Sequence, residues 1–273
     1  MLMILLVSFF LQAPVKAEPK YAKPEMLVTP ADAAKATTLI FDVRAKPAYA
    51  GGHIPGAVQL GIGPWGKAIN AQKADAAFWK KELAAVGVGP KATVLVYSDN
   101  VIDMCRAWWM FELAGVPNVR ILNGGWDGYI AAKLEVSTTA TMANPAEPYD
   151  WVPEKRFITK ADVIELANAK DPGLLDARTP TEYAAGRIPG ATHLEWTDLL
   201  DGKTKQFLPA ATLAELFATK KVNLGQPCVT YCQSGGRASV LAFGLELMGA
   251  KAVRNYHPSW GEYGADREAP KEK

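Results

Sequence analysis

The chain contains an internal repeat with a constant offset of 134 positions. Asp42-Val43-Arg44 recurs as Asp176-Ala177-Arg178, and Gly52–Ala57 recurs as Gly186–Ala191. Further pairs at the same offset are Tyr49 with Tyr183, Glu112 with Glu246, Gly115 with Gly249 and Trp126 with Trp260. The offset holds over about 90 residues without a net gap, which is typical of a duplicated domain rather than of a chance motif.

Each copy alternates strand-like and helix-like segments. The predicted strands are Thr38–Phe41, Ala57–Leu60, Thr93–Tyr97, Val119–Leu122, Leu174–Leu175, Thr192–Leu194, Cys228–Tyr231 and Ala252–Arg254. The predicted helices are Ala76–Val86, Met104–Leu113, Ala161–Ala169, Ala211–Ala218 and Arg237–Met248. Such alternation predicts an α/β fold of two tandem domains, each with a mostly parallel sheet flanked by helices on both faces.

The repeat also divides the chain into regions. We predict an N-terminal domain at residues 24–135, a linker at 136–155 rich in Thr, Ala, Pro and Asn, and a C-terminal domain at 156–266. A length of 273 residues suits two domains of ordinary size.

Residues 1–17 are predicted to be a signal peptide. Met1–Leu11 is almost wholly apolar, and Val15-Lys16-Ala17 places small residues where a cleavage site needs them, although no Lys or Arg precedes the apolar stretch. The stretch is shorter than the roughly 20 apolar residues that span a bilayer, so no stable membrane anchor is expected. Cleavage near Ala17 would leave a periplasmic or secreted protein.

Composition excludes several classes of partner and scaffold. The net charge is only +2 and no basic run stands out, so a nucleic-acid partner is not expected. Three cysteines are too few for a disulfide scaffold, and Cys105 is expected to pack in a core. Cys228 and Cys232 are four positions apart in one predicted strand, about 13 Å, whereas a disulfide needs less than about 7 Å.

The loop from Cys232 to Arg237 is the candidate reactive site. It follows a predicted strand and precedes a predicted helix, so loop amides and the helix N-terminus favour a thiolate, which is the nucleophilic form. Gly235 and Gly236 suit a tight loop that needs a positive φ or a close backbone approach. The remaining members of the predicted loop site are Gln233 and Ser234. The alternative interpretation is a buried structural cysteine.

The first copy provides an internal comparison. Ser98 lies 134 positions before Cys232, and its loop, Ser98–Asp103, has no glycine. The acids Asp99 and Asp103 in that loop would repel an anionic substrate and oppose a thiolate. The first domain is therefore predicted to be inert and the second to be reactive.

These motifs together resemble the tandem-domain rhodanese sulfurtransferases of the thiosulfate and 3-mercaptopyruvate type. The shared features are the Asp-x-Arg strand ends, the Ile-Pro-Gly-Ala turns, the turn Asn123–Trp126, and a six-residue loop that opens with cysteine only in the second domain. The resemblance covers residues 25–135 and 156–265. It implies two facing α/β domains with the cysteine near the cleft between them.

The resemblance also implies a reaction. Cys232 would take a sulfur atom from a small anionic donor, become a persulfide, and pass the sulfur to a thiol, cyanide or protein acceptor. The amides of Gln233–Arg237 would surround the persulfide, and no metal or organic cofactor would be needed. Arg237 would either hold the anionic donor or fix the loop.

Two departures leave the donor open. The family's donor-binding arginine, four residues after the Asp-x-Arg arginine, corresponds to Glu182 in this chain. Arg187 replaces a commoner histidine nearby and either compensates or pairs with an acid. Ser234 resembles the mercaptopyruvate type at its loop position.

Other candidate residues have more ordinary interpretations. Asp176 and Arg178 are expected to form a buried ion pair that supports the loop. His53 is expected to be a surface or hydrogen-bonded histidine, whereas His257 suits an active-site and a surface position equally well.

Two other functional classes are alternatives to this interpretation. A cysteine phosphatase or arsenate reductase needs five residues between its cysteine and arginine, whereas four lie between Cys232 and Arg237. A non-catalytic binding module would have an unreactive Cys232.

Overall fold

The computed structural model describes residues 19–36, 38–153 and 156–273. The predicted signal peptide and two linker positions, 154 and 155, lie outside the described residues. No helix in the described part of the chain is both long and apolar enough to cross a bilayer.

The N-terminal domain is a five-stranded, wholly parallel sheet with helices packed around it. Its elements, after a 3₁₀ turn at Pro24–Met26, are β1 (Leu27–Val28), α1 (Pro30–Ala33), β2 (Leu39–Asp42), α2 (Lys46–Gly51), β3 (Val58–Gln59), α3 (Gly63–Asn70), α4 (Ala76–Ala85), β4 (Thr93–Tyr97), α5 (Val101–Leu113), β5 (Asn118–Leu122) and α6 (Gly125–Ala131). The strand order is β1-β5-β4-β2-β3.

The C-terminal domain repeats this architecture with four parallel strands. Its elements are α7 (Lys160–Ala169), β6 (Leu174–Asp176), α8 (Pro180–Ala185), β7 (Thr192–His193), a 3₁₀ turn at Trp196–Leu199, α9 (Ala210–Thr219), β8 (Cys228–Tyr231), α10 (Gly236–Leu247), β9 (Val253–Asn255) and α11 (Ser259–Tyr263). The strand order is β7-β6-β8-β9. The predicted α/β class with mostly parallel sheets is confirmed.

The two sheets superimpose in register as well as in order. Asp42 pairs with Tyr97 and Asp176 pairs with Tyr231, so the strand that carries the loop lies centrally in each sheet. A single parallel bridge from Phe157 to Asn255 stands where the first sheet has β1. Loops at the carboxyl ends of central parallel strands are where α/β folds place their ligand sites.

The long helices α5 and α10 pack against each other and join the two domains. Trp108 of α5 meets Phe243 of α10 edge to face, with ring centroids 4.9 Å apart. Near the ends of these helices, Arg156 pairs with Glu112 at 2.7 Å and also with Glu246. One arginine therefore contacts the same repeated position in both domains.

Candidate active site

A buried ion pair between Asp176 and Arg178 supports the loop from Cys232 to Arg237. The Nη2 of Arg178 lies 2.6 Å from the Oδ2 of Asp176 and donates to the carbonyl oxygen of Gly186 at 2.7 Å. The first domain repeats this arrangement with Arg44, Asp42 and Gly52. Because the pair is also present in the copy whose loop begins with Ser98 instead of cysteine, it belongs to the scaffold that positions the loop, as the sequence predicted.

Aromatic rings connect this ion pair to the residues beside Cys232. The Arg178 guanidinium lies 4.6 Å from the ring centre of Trp260 and 5.6 Å from that of Tyr231. The Tyr231 hydroxyl accepts a hydrogen bond from the backbone N–H of Ile188 at 3.2 Å. Burial, followed by the charge of Asp176, raises the pKa of Tyr231, so this phenol stays neutral. Tyr231 directly precedes Cys232, so the ion pair fixes the base of the loop.

Cys232 lies at the carboxyl end of β8 and is only 1 % exposed. The amides of Gln233 and Ser234 have no acceptor among the described residues, and those of Gly236 and Arg237 are in the first turn of α10, where an N–H has no partner within the helix. Free amide donors in such a loop favour a negatively charged sulfur.

The two loop glycines serve different purposes. Gly235 has a φ of 82°, in the left-handed region that favours glycine. A side chain on Gly236 would meet the Nη2 of Arg106 at 2.3 Å, so Gly236 allows a close approach instead. The Gly235 amide departs from the expected role, since it donates to the Oγ of Ser259 at 3.1 Å and is not available to the sulfur.

Arg237 is held by the residue that replaces the expected donor-binding arginine. Its Nη1 and Nη2 donate to the two Glu182 oxygens at 2.6 and 2.8 Å. Glu182 also accepts from the backbone and hydroxyl of Thr179, at the start of α8. The hydrogen bond from Arg237 is the main reason that the pKa of Glu182 falls to about 2.

The hydrogen bond to Glu182 is the main reason that the pKa of Arg237 is raised, and the Arg237 guanidinium also lies within interaction range of the Cys232 side chain. Of the two roles left open by the sequence, Arg237 fixes the loop to α8 in this structure. Its guanidinium is neutralised by Glu182.

Arg187 does not compensate at the loop. Its guanidinium lies 4.7 Å from the ring centre of Tyr183, and its Nε is 3.6 Å from Glu272. Of the two alternatives that the sequence leaves open, Arg187 adopts the pairing with an acid. The predicted supporting role of Arg187 at the loop is not observed among the described residues.

The N-terminal domain contributes residues that sequence reasoning missed. Arg106 of α5 extends to the loop, where its Nη2 lies 3.4 Å from the carbonyl oxygen of Ser234. Asn70 at the end of α3 accepts from the Nδ1 of His257 at 2.6 Å, and Trp109 stacks on the same imidazole with centroids 5.0 Å apart. The repeat compares residues at one offset, so it carries no signal for contacts between the domains.

His257 is a buried interface residue, not a surface residue. It is 3 % exposed, and burial lowers its pKa to about 3, so the imidazole is neutral and Nδ1 carries the proton toward Asn70. His53 in the first domain is buried too, with its ring nitrogens 2.9 and 3.0 Å from the carbonyl oxygens of Tyr49 and Thr139.

The loop of the first domain has a different internal structure. The Oγ of Ser98 accepts from the amide of Asn100 at 3.2 Å, and the Asn100 side chain caps α5. Burial raises the pKa of Asp103. The three cysteines, Cys105, Cys228 and Cys232, are all buried free thiols.

The chain thus has two α/β domains with parallel sheets, and in the second domain the central strand β8 leads into a loop that begins with Cys232 and has free amides. The sequence profile of the rhodanese-like domain matches residues 24–132 and 159–266. The chain belongs to the rhodanese family, with two copies of its domain.

Curated relatives identify the activity. The chain is 33% identical over 242 residues to thiosulfate sulfurtransferase of Corynebacterium glutamicum, covering 78% of this chain and 77% of the relative. It is 28% identical over 244 residues to 3-mercaptopyruvate sulfurtransferase of Escherichia coli, covering 82% and 84%. The protein is therefore a sulfurtransferase of the thiosulfate or 3-mercaptopyruvate type, rather than a phosphatase or a non-catalytic module.

A solved structure shares the fold at lower identity. The anaerobic ergothioneine biosynthesis enzyme of Chlorobium limicola, in complex with trimethyl histidine, aligns with a TM-score of 0.81 and 21% identity. The alignment covers 93% of this chain and 71% of that enzyme. This similarity supports the architecture of both domains.

Proposed function

We propose that the protein transfers a sulfane sulfur through a persulfide on Cys232. The Cys232 thiolate attacks the transferable sulfur of the donor, forming a new S–S bond. The donor's bond to that sulfur breaks with its electron pair: thiosulfate releases sulfite, and 3-mercaptopyruvate releases pyruvate as its enolate, which takes up the thiol proton. An acceptor, which is cyanide, a thiol or a protein, then attacks the outer sulfur and releases the Cys232 thiolate. The observation that carries the proposal is the buried Cys232 among free loop amides.

The persulfide is directly observable by mass. Reduced protein incubated with thiosulfate or 3-mercaptopyruvate should gain one sulfur, about 32 Da, on the peptide that contains Cys232. Adding cyanide or a thiol should remove this mass. If neither donor produces the adduct while the thiol is confirmed free, the proposed reaction is wrong for both donors.

The Glu182–Arg237 pair gives a prediction about donor binding. Glu182→Gln keeps the size and the capping position but removes the charge, so Arg237 becomes available to an anionic donor. The KM for thiosulfate is expected to fall about tenfold, the size of one charge-assisted hydrogen bond. Steady-state kinetics of thiosulfate:cyanide transfer measure this change.

The matched control is Glu215→Gln, an exposed glutamate on α9 that faces solvent. It should leave the KM unchanged. An unaltered KM in Glu182→Gln would show that neutralisation of Arg237 does not limit the binding of anionic donors. The wild-type ion pair persists down to acidic pH, because the pKa of Glu182 is about 2.

We infer further that the protein is exported and processed. The apolar stretch Met1–Leu11 and the small residues Val15 and Ala17 support removal of residues 1–17. The exported protein should then begin at Glu18, as measured by intact mass after cell fractionation. An Ala17→Arg variant should accumulate uncleaved. Wild-type protein that stays in the cytoplasm with Met1 in place would refute export.

A further inference from the structure

Ser259 holds a strained backbone conformation inside the C-terminal domain. Its φ is 58°, in the left-handed region, and its exposed fraction is 0 %. The other non-glycine residues with positive φ in the described part of the chain are exposed: Gln72, Lys133, Lys170, Lys205 and Lys221. A residue with a side chain is sterically disfavoured in this region, so we expect a compensating contact for a buried serine here.

The compensating contact is with the reactive loop. The Oγ of Ser259 accepts from the backbone amides of Cys232 and Gly235, each at 3.1 Å. Its hydroxyl donates to the carbonyl oxygen of Tyr256 at 2.7 Å. One donor and two acceptor sites exhaust the capacity of a hydroxyl. Ser259 therefore ties the first and fourth residues of the loop to one oxygen atom.

This tie determines which amides remain for the sulfur. With Cys232 and Gly235 turned toward Ser259, the amides of Gln233, Ser234, Gly236 and Arg237 are left without a protein acceptor in the described structure. A loop that moved away from Ser259 would lose this arrangement of free amides. Catalytic groups must be held within a fraction of an ångström of their productive geometry, so this loss would slow the reaction.

The inert domain shows the same position without the hydroxyl. Gly125, the repeat partner of Ser259, also has a φ of 58°. A Cβ on Gly125 would lie 2.3 Å from the carbonyl oxygen of Ser98, so this copy has no space for a side chain. The hydroxyl at this position and the cysteine in the loop thus occur in the same copy, and both are missing from the other.

We propose that Ser259 is a positioning residue for the sulfur-transfer reaction, which holds the loop so that its free amides face the sulfur of Cys232. The inference rests on the proposed persulfide reaction. Because Ser259 is fully buried and its hydroxyl already makes three hydrogen bonds, it acts on the rate of transfer and leaves donor affinity nearly unchanged.

Two substitutions separate positioning from stability. Ser259→Ala removes the hydroxyl and keeps the strained φ, whereas Ser259→Gly removes the hydroxyl and relieves the strain. Both should lower kcat about tenfold, the equivalent of losing the two hydrogen bonds from the loop amides of Cys232 and Gly235. The KM for thiosulfate should stay within about twofold of wild type. Ser259→Gly should melt at the same temperature as Ser259→Ala or higher.

The kinetics must be expressed per reactive site, because misfolded protein would otherwise imitate the effect. Iodoacetamide titration of Cys232 gives the number of active sites, and its rate should fall in both variants. Ser98→Ala is the matched control, since it removes a buried loop-binding hydroxyl from the inert domain and should leave kcat unchanged.

Each outcome distinguishes a failure of the positioning role of Ser259 from a failure of the proposed persulfide reaction. If wild-type protein forms the persulfide but Ser259→Gly retains full kcat per titrated site, the positioning role is wrong and the sulfurtransferase mechanism stands. If wild-type protein forms no persulfide, the underlying reaction fails first. A loss of kcat in Ser259→Ala that Ser259→Gly restores would show that backbone conformation matters and the hydroxyl does not.

Discussion

Cys232→Ser is expected to lower sulfur transfer by more than about 10³-fold, because a serine hydroxyl cannot carry the persulfide and removal of a nucleophile eliminates the covalent step. The fold should be unaffected, since the change exchanges a single sulfur atom for oxygen. Thiosulfate:cyanide transfer measures the activity, and intact mass should show no sulfur adduct with either donor.

Three controls make this result specific. Cys228→Ser, in the same strand, and Cys105→Ser, in α5, should retain the adduct and most of the activity. Ser98→Cys should not create a second reactive site, since its loop keeps Asp99 and Asp103 and lacks glycine. A sulfur adduct that persists in Cys232→Ser would place the chemistry on another residue.

Asp176→Asn is expected to lower the free energy of unfolding by about 3–5 kcal/mol, because it leaves the buried Arg178 charge without its carboxylate. The Asp176 and Arg178 side chains are 0 % and 2 % exposed, so solvent cannot replace the lost partner. Urea denaturation measures the loss.

Asp42→Asn makes the same change in the N-terminal domain, where the pair has the same 2.6 Å separation. It should cost similar stability. Below the unfolding transition, however, only Asp176→Asn should reduce kcat, because only this pair supports the base of the reactive loop through Tyr231 and Trp260. Equal losses of kcat in both variants would indicate a general loss of folded protein.

The repeat predicted much of this molecule because both copies obey the same local constraints. Strands Thr93–Tyr97 and Cys228–Tyr231 were predicted with the bounds that the structure has, since each is a short apolar run preceding a loop. The sequence pattern does not predict the short helices α2 and α8. With six residues each, they are too short for a helical period to register, and a proline in the first turn reads as a turn signal.

The sequence predicts only those parts of the active site whose residues are adjacent in the chain. Cys232 and its loop follow from residues in sequence, whereas the role of Ser259 depends on a backbone angle and the contact of Arg106 depends on how two domains pack. Glu182 was identified as a departure from the family pattern. That it binds Arg237 could not be deduced, because 55 residues separate them.

The bridge from Arg156 to Glu112 and Glu246 has a consequence for how the two domains hold together. These glutamates occupy the same repeat position, so the packing of α5 on α10 brings two like charges to the junction between the domains. Arg156 lies in the region connecting the copies, and it neutralises both. By placing one positive charge between two negative ones, the region that connects the domains also stabilises their packing.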